Sequence, residues 1–292
     1  MHRGFRRSRR KAGTLAAFLA TTTARIATLL PATLVLAHAA AASPFPDQVS
    51  QGALVRATVN PHAKVRVAGH VLRVGPRGEI VFGVGRDERG PVTIDITERD
   101  GQRERIAIPV VPRDWPVERI EGVPPKTVEP PPEIAERIKR EQARVVAARE
   151  RDDAREDYMQ AFAWPVDGRI SGRFGNQRIY VVDGRDVPKS PHSGMDIAVP
   201  EGTPVKAPAA GVVTFADPGL YLTGGTVLID HGHGVSSNFL HLSRIDVKLG
   251  QRVAQGDVIG AAGMTGRATG PHLHWGMNWF DVRVDPLLLL NP

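Results

Sequence analysis

The residues best suited to chemistry lie between positions 164 and 292, which hold six of the ten histidines in this 292-residue chain. Four of these histidines and one aspartate fall in three short segments, His192-Ser-Gly-Met-Asp196, Phe239-Leu-His241-Leu242 and Gly270-Pro-His272-Leu-His274-Trp275. Two neutral imidazoles and one carboxylate suit Zn²⁺ and leave a fourth tetrahedral position for water. Further histidines beside the metal can supply the proton transfers of hydrolysis. These residue types therefore predict a metal-dependent hydrolytic centre.

The backbone between these residues must bend to bring them together. The segment from His192 to Asp196 is not predicted to be helical, because Gly194 interrupts it. In an extended strand the two Cα atoms would be about 13 Å apart, too far to share an ion. We therefore expect a turn near Gly194. His272 and His274 are two positions apart, so in a strand both side chains leave the same face, and one can bind metal while the other faces a substrate.

The remaining histidines have less specific surroundings. His231 and His233 are predicted to lie in a hairpin turn, because glycines follow both of them. His62 and His70 have no partner motif and are expected to be solvated surface residues. His241, taken alone, would also fit a hydrogen-bonded core histidine at the end of an apolar strand.

Considered jointly, these segments resemble the M23 (lysostaphin/LytM-type) zinc metallopeptidases over about 125 C-terminal residues. The resemblance also includes Thr226–Gly234, Val247–Gly260 and the run Gly263-Met-Thr-Gly-Arg-Ala-Thr-Gly-Pro-His272-Leu-His274. It implies that His192, Asp196 and His274 bind one Zn²⁺ per chain and that His241 and His272 are catalytic. All five positions are filled, whereas family members that only activate amidases have lost ligands. Phe239 is a departure, because the family often has tyrosine there.

The resemblance also implies the reaction. We expect a peptidoglycan endopeptidase that hydrolyses stem or cross-bridge peptides with metal-activated water. The sequence has no H-E-x-x-H, so a histidine must replace the glutamate base of other zinc peptidases. Whether His241 or His272 is that base stays open.

Two other functions compete with the endopeptidase. The same fold could act as a catalytically silent regulator of another cell-wall hydrolase, and protein regulators of this chain are also conceivable. A lipoyl- or biotinyl-type carrier is suggested by the rhythm Gly250-x-x-Val253-x-x-Gly256. A carrier needs an exposed lysine at a hairpin tip, and the turn at residues 230–234 has none.

The charge distribution argues against nucleic acid as a partner. Seven basic residues and no acidic one lie in residues 1–42, so the formal net charge of +7 leaves the remainder close to neutral.

This segment predicts an export signal, because a cationic start precedes an apolar run and A-x-A sites that end at Ala39 and Ala42. The alternative is a retained anchor; after cleavage no membrane span is expected. The chain has no cysteine and therefore no disulfide. We expect an exported protein of the periplasm or cell envelope.

The fold class is predicted to be mainly β, with four parts. They are the signal at 1–42, a small immunoglobulin-like β-sandwich at 43–112, a proline-rich linker with one charged helix at 113–163, and an antiparallel, lipoyl-barrel-like peptidase domain at 164–292. The expected strands are Ala53–Val59, Lys64–Val67, Val71–Val74, Glu79–Phe82, Val92–Ile96, Arg105–Val110, Pro204–Ala207, Gly211–Ala216, Thr226–Asp230, Ser237–Leu242 and Asp257–Ile259. The linker is expected to be extended between Pro112 and Pro132, and the helix to cover residues 133–160. The sandwich and helix could either position the peptidase or block its groove.

Overall fold

Antiparallel β-sheet dominates the computed structural model, which describes residues 43–290. The predicted export signal at residues 1–42 lies outside the described residues. None of the helices in the described part has the length and apolar character needed to cross a membrane.

The first part of the chain contains nine strands and two helices. Their bounds are β1 (Val49–Ser50), β2 (Leu54–Thr58), β3 (Lys64–Val67), β4 (His70–Val71), β5 (Glu79–Gly83), β6 (Val92–Thr97), β7 (Arg103–Ile108), β8 (Val110–Val111), β9 (Val117–Ile120), α1 (Pro125–Val128) and α2 (Pro132–Arg149). Strand β6 alternates buried and half-buried residues along its whole length, the pattern of a strand with one face on a core. Strands β4-β3-β6-β7 form one sheet and β2-β5 another. The strand expected at Val71–Val74 is wrong after Val71: residues 72–75 are irregular, and a turn at Pro76-Arg77 follows them.

The proline-rich segment is not a free extended connector, which corrects that prediction. Strand β9 pairs in parallel with Gln177–Tyr180, and α1 follows it. The prolines flank these elements instead of interrupting them: Pro116 precedes β9, and Pro125 is the first residue of α1. Two elements of the predicted linker are therefore attached to the C-terminal part of the chain.

The charged helix ends earlier than expected. Helix α2 stops at Arg149, and a short 3₁₀ helix at Asp157–Met159 follows an irregular segment. Tertiary contacts override helix propensity there: the carbonyl of Asp153 accepts the backbone N–H of His233, and Arg155 forms an ion pair with Asp230. The thin apolar stripe of α2 packs Val145 and Ala148 on a small cluster of sheet residues, Phe215, Leu220 and Leu228.

The last part of the chain forms thirteen strands. They are β10 (Arg169–Gly172), β11 (Gln177–Val182), β12 (Arg185–Pro188), β13 (Met195–Ala198), β14 (Pro204–Lys206), β15 (Gly211–Leu220), β16 (Gly224–Gly232), β17 (Val235–Leu242), β18 (Arg244–Ile245), β19 (Arg252–Val253), β20 (Val258–Ala261), β21 (His272–Trp279) and β22 (Val282–Val284). The largest sheet has the order β10-β13-β21-β17-β16-β15-β19, with β22 on β21. Every residue of β16 is buried, which explains why its sequence lacks strict alternation.

One hydrophobic core joins the first and last parts of the chain. Its fully buried side chains include Ile80 and Phe82 from β5 and Trp275 and Trp279 from β21. His70 also contributes to this junction, because its ring stacks on Phe280 at a centroid distance of 5.7 Å. The side chain of His70 is nevertheless 40% exposed, in line with the expected surface position, and the stacking on Phe280 is an additional contact that the sequence did not indicate. Residues 43–290 belong to one compact unit, and the domain boundaries at residues 112 and 163 remain a prediction.

Candidate metal centre

Two paired strands and one bend hold the three predicted metal ligands. Asp196 on β13 lies directly opposite His274 on β21 in the antiparallel register. His192 precedes β13, and the chain bends at Gly194 between them. Backbone hydrogen bonds to Gly175 and Asn176 fix the His192 loop. The bend brings His192 and Asp196 closer together than an extended strand would, as their spacing in the sequence predicts.

Three potential ligand atoms converge at this point. The Oδ1 atom of Asp196 lies 2.8 Å from Nδ1 of His274 and 3.1 Å from Nε2 of His192, and the two nitrogens are 3.0 Å apart. Tetrahedral zinc with bonds of about 2 Å has ligand atoms about 3.3 Å apart, close to these values. Within residues 43–290 this is the one group of three or more His, Cys, Asp or Glu side chains close enough to hold a metal ion.

The hydrogen bonds of His192 orient its lone pair toward the cluster. Its Nδ1 lies 2.9 Å from the carbonyl oxygen of Arg173, and because a carbonyl only accepts, Nδ1 carries the proton. In the neutral ring Nε2 then has a lone pair that faces Oδ1 of Asp196 and Nδ1 of His274. When Nδ1 of His274 is also unprotonated, it faces the same two atoms with a third lone pair, and three electron-pair donors at these distances repel one another unless a cation lies between them. The donor set therefore fits a bound metal ion.

Electrostatics keep the donors in the states that ligate metal. Burial opposes ionisation of Asp196, but the adjacent His192 and His274 outweigh it and hold the carboxyl pKa well below its usual range. Burial lowers the pKa of His274 to about 4, although Asp196 acts in the opposite direction. Near neutral pH the cluster therefore contains a carboxylate and a neutral imidazole at these two positions.

Arg178 contacts the cluster, although the sequence motifs did not point to it. Its Nη2 donates to the second carboxylate oxygen of Asp196 at 2.6 Å, which leaves Oδ1 for the cluster. Glu118 on β9 lies 3.4 Å from the Nε of Arg178 and helps to hold the guanidinium. Arg178 is 18 residues from Asp196 along the chain and belongs to another strand, so no local motif pointed to it.

His241 and His272 lie beside the cluster with their rings 4.8 Å apart. Each has its Nδ1 close to a backbone carbonyl, Thr265 at 2.7 Å for His241 and Gly270 at 2.8 Å for His272. Both Nδ1 atoms therefore donate, and both Nε2 atoms are available as acceptors. His241 has a φ of +64°, an uncommon backbone conformation for a residue other than glycine and one that occurs at functional sites.

A cavity of about 330 Å³ opens onto these two histidines. It is lined by Asp196, His241 and His272 together with residues of the predicted linker, Glu118 and Ile120. A substrate could therefore reach the catalytic candidates and the metal cluster together. Phe239, where the resemblance often has tyrosine, is fully buried and does not line this cavity.

His231 and His233 lie elsewhere and are both buried. His233 lies in the β16–β17 turn with a φ of +49°, as expected, but His231 belongs to strand β16, which corrects the prediction that it is a turn residue. The His231 ring contacts the carbonyl of Ala210 and the hydroxyl of Ser237. His233 contacts the hydroxyl of Tyr158. These histidines are structural members of the core.

Gly194→Ala tests how tightly the cluster depends on its bend. An added Cβ would lie 2.5 Å from the carbonyl oxygen of Trp275 and 2.7 Å from Nε2 of His274. A backbone atom cannot move aside cheaply, so we expect His274 to be displaced and metal affinity to fall at least about tenfold, the size of effect seen when the support of a ligand is lost. Competition with a fluorescent zinc chelator measures this change.

Gly270→Ala is the matched control for that substitution. A Cβ at Gly270 would meet nothing within 4 Å, and its φ is not in the left-handed region. Unchanged zinc affinity in Gly194→Ala would contradict the steric argument.

Comparison with known proteins identifies the family. The sequence profile of Peptidase family M23 matches residues 190–286. A crystal structure of a Pseudomonas aeruginosa protein described as an M23 peptidase is 35% identical, covers 82% of this chain and 94% of its own, and superposes with a TM-score of 0.64. The chain belongs to the M23 peptidase family. This is a family of metallopeptidases, and the M23 chain contains a His-Asp-His cluster that could bind a metal ion.

The M23 chain is also similar to curated bacterial proteins. It is 46% identical over 114 residues to the peptidoglycan DD-endopeptidase ShyA of Vibrio cholerae, a match that covers 38% of this chain and 26% of ShyA. It is 44% identical over 102 residues to the DD-carboxypeptidase/endopeptidase Mpg of Neisseria gonorrhoeae, covering 35% and 23% of the two chains. The matches thus span about a quarter of these relatives' lengths.

Proposed function

We propose that this M23 peptidase is an exported zinc metalloendopeptidase that hydrolyses stem or cross-bridge peptides of peptidoglycan. One observation carries the proposal: three ligand atoms of His192, Asp196 and His274 converge within 2.8–3.1 Å, beside two further histidines that open onto a cavity. The substrate class is taken from the similarity to peptidoglycan endopeptidases such as ShyA. We further propose that residues 1–42 are removed on export to the periplasm or cell envelope.

The metal would be held by Nε2 of His192, Oδ1 of Asp196 and Nδ1 of His274. Zinc in such a set of two imidazoles and one carboxylate supplies Lewis-acid polarisation of the scissile carbonyl and lowers the pKa of water. The surrounding residues fix the ligands: the carbonyl of Arg173 sets the tautomer of His192, and Arg178 holds the other oxygen of Asp196.

His241 and His272 would have different roles in the hydrolysis. Burial, together with the neighbouring His272 and His274, lowers the pKa of His241 to about 3, so a proton on His241 is strongly disfavoured. We therefore assign both proton transfers to His272, whose side chain is 14% exposed. His272 takes a proton from the attacking water and later gives it to the leaving amine. His241 orients the water through its unprotonated Nε2. The carbonyls of Thr265 and Gly270 hold the two rings in place.

The function is tested on residues 43–292 by measuring metal content and digestion of peptidoglycan sacculi. Mass spectrometry is expected to find about one zinc per chain, as in a mononuclear site. New peptide termini in the digest should disappear after chelation and return with zinc, and their sequence identifies the bond that is cut. A chain that contains no zinc and releases no peptide would contradict the proposal and favour the regulator of another cell-wall hydrolase.

A further inference from the structure

A second cavity lies between helix α2 and the large sheet. Its volume is about 310 Å³. The sheet wall combines apolar side chains such as Leu228 and Leu240 with the amides of Asn238 and Asn278. Two guanidinium groups, Arg149 at the end of α2 and Arg283 on β22, complete the lining. The cavity thus has an apolar body and a strongly cationic part.

Buried hydrogen-bond donors line this cavity without acceptors. Asn278 is 2% exposed, and its Nδ2 has no hydrogen-bond partner among residues 43–290. Its Oδ1 already accepts from Asn238 at 3.4 Å, so the free group of the amide is the donor. The Nε of Arg149 is likewise buried and unpartnered. Buried donors without acceptors are unfavourable, and acceptor atoms that enter the cavity would relieve this cost.

The positive charges in the cavity also lack counter-ions. Neither Arg149 nor Arg283 has a carboxylate within 4.0 Å in the described part of the chain, where other arginines form many ion pairs. Burial and the nearby Arg283 lower the pKa of Arg149 to about 10. Burial of the guanidinium also lowers the pKa of Arg283, although that residue as a whole is exposed. The carboxylate of Glu141 in the helix wall is already paired with Arg137.

These groups offer donors and positive charge to one ligand. Asn278 and Arg283 are cross-strand partners on β21 and β22, so their side chains leave the same face of the sheet. Guanidinium and amide donors around a point of positive potential match the oxygens of a carboxylate or a phosphate. We propose that this cavity is a binding site for an oxyanion, a carboxylate or phosphate group, held by Arg149, Arg283 and Asn278.

The position of this oxyanion site connects it to the metal centre. Asn278 and His274 are four residues apart on β21, so they share a face and are separated by about 13 Å. A peptide that lies along β21 with its scissile bond at His274 can therefore place a carboxylate in the cavity. This connection rests on the proposed function, whereas the oxyanion site itself does not.

Calorimetric titration of the full zinc-loaded chain tests the site. The probes are inorganic phosphate, N-acetyl-dialanine and the C-terminal amide of N-acetyl-dialanine. We expect at least one oxyanion to bind and the neutral amide to bind at least about tenfold more weakly, because it lacks a charge-assisted hydrogen bond. Arg149→Met and Arg283→Met should each weaken oxyanion binding at least about tenfold for the same reason.

Arg144→Met is the matched control. Arg144 lies on the same helix, but it pairs with Asp217 and does not line the cavity, so its loss changes the net charge equally and should leave binding unchanged. Thermal unfolding of each variant checks that the fold is retained. Binding of both anions supports a general oxyanion site, and binding of one alone assigns the site to carboxylate or to phosphate.

Two results would overturn the inference. One is the absence of binding by phosphate and by the peptide up to about 20 mM, above the millimolar affinities of weak sites. The other is binding that survives both arginine substitutions, as an anion held at the metal would. Neither result depends on peptidoglycan cleavage, so a chain that binds oxyanions without cutting sacculi would contradict only the proposed function.

Discussion

His274→Ala is expected to abolish both metal binding and peptide hydrolysis. The substitution removes one of the three proposed ligands and leaves Oδ1 of Asp196 with His192 alone in the cluster. Changes in residues that merely support a ligand cost 10–100-fold, so loss of the ligand itself should lower kcat/KM at least about a thousandfold. Zinc content by mass spectrometry should fall from about one per chain to nearly none.

His62→Ala controls for the loss of a histidine. His62 is exposed, and in the described part of the chain only its backbone N–H is hydrogen-bonded, to Asn60. This variant should keep both zinc and activity. A His274→Ala protein that is folded by circular dichroism and still holds stoichiometric zinc would exclude His274 as a ligand and require another donor.

His272→Ala should separate catalysis from metal binding. The variant keeps His192, Asp196 and His274, so we expect zinc content to be unchanged. Loss of a general acid–base group should lower kcat by a factor of about 10²–10⁴ with little change in KM. Measurements on muropeptide dimers across pH 5–9 provide kcat, KM and the pH profile.

His241→Ala completes this comparison. It should also retain zinc, but it should keep the pH dependence of the wild type, because His241 is assigned to orienting water and not to carrying the proton. The double variant should lose less activity than the product of the two single losses, since both residues act on one water molecule. Loss of the pH dependence in His241→Ala, with its retention in His272→Ala, would reverse the two roles.

The different roles proposed for His241 and His272 rest on the tertiary structure. The sequence places His241 near the end of an apolar strand and His272 two positions before His274, and it left the choice of base open. Burial of His241 and the partial exposure of His272 are properties of the folded cleft. They depend on how β17 and β21 pair, and no local pattern specifies that pairing.

Residues that are close together along the chain determine the strand content and several local features of the candidate site. Short β-type runs separated by glycine and proline predict a mainly β chain. The i, i+2 spacing of His272 and His274 predicts that both side chains leave the same face of a strand, and the spacing of His192 and Asp196 predicts a bend near Gly194. These features depend on residues that are close along the chain. Backbone conformation and side-chain direction follow directly from such neighbours.

Tertiary structure alone decided how the segments meet. The register that sets Asp196 opposite His274 joins residues 78 positions apart, and Arg178 reaches Asp196 from another strand. Part of the proline-rich segment forms strand β9 because it pairs in parallel with β11. Helix α2 ends early, and the residues that follow it, 153–155, contact β16 and the turn after β16. The spacing of apolar residues predicts each strand or helix separately. Strand register, the carbonyls that hold the histidine rings and the arginines without carboxylate partners depend on which elements become neighbours in the fold.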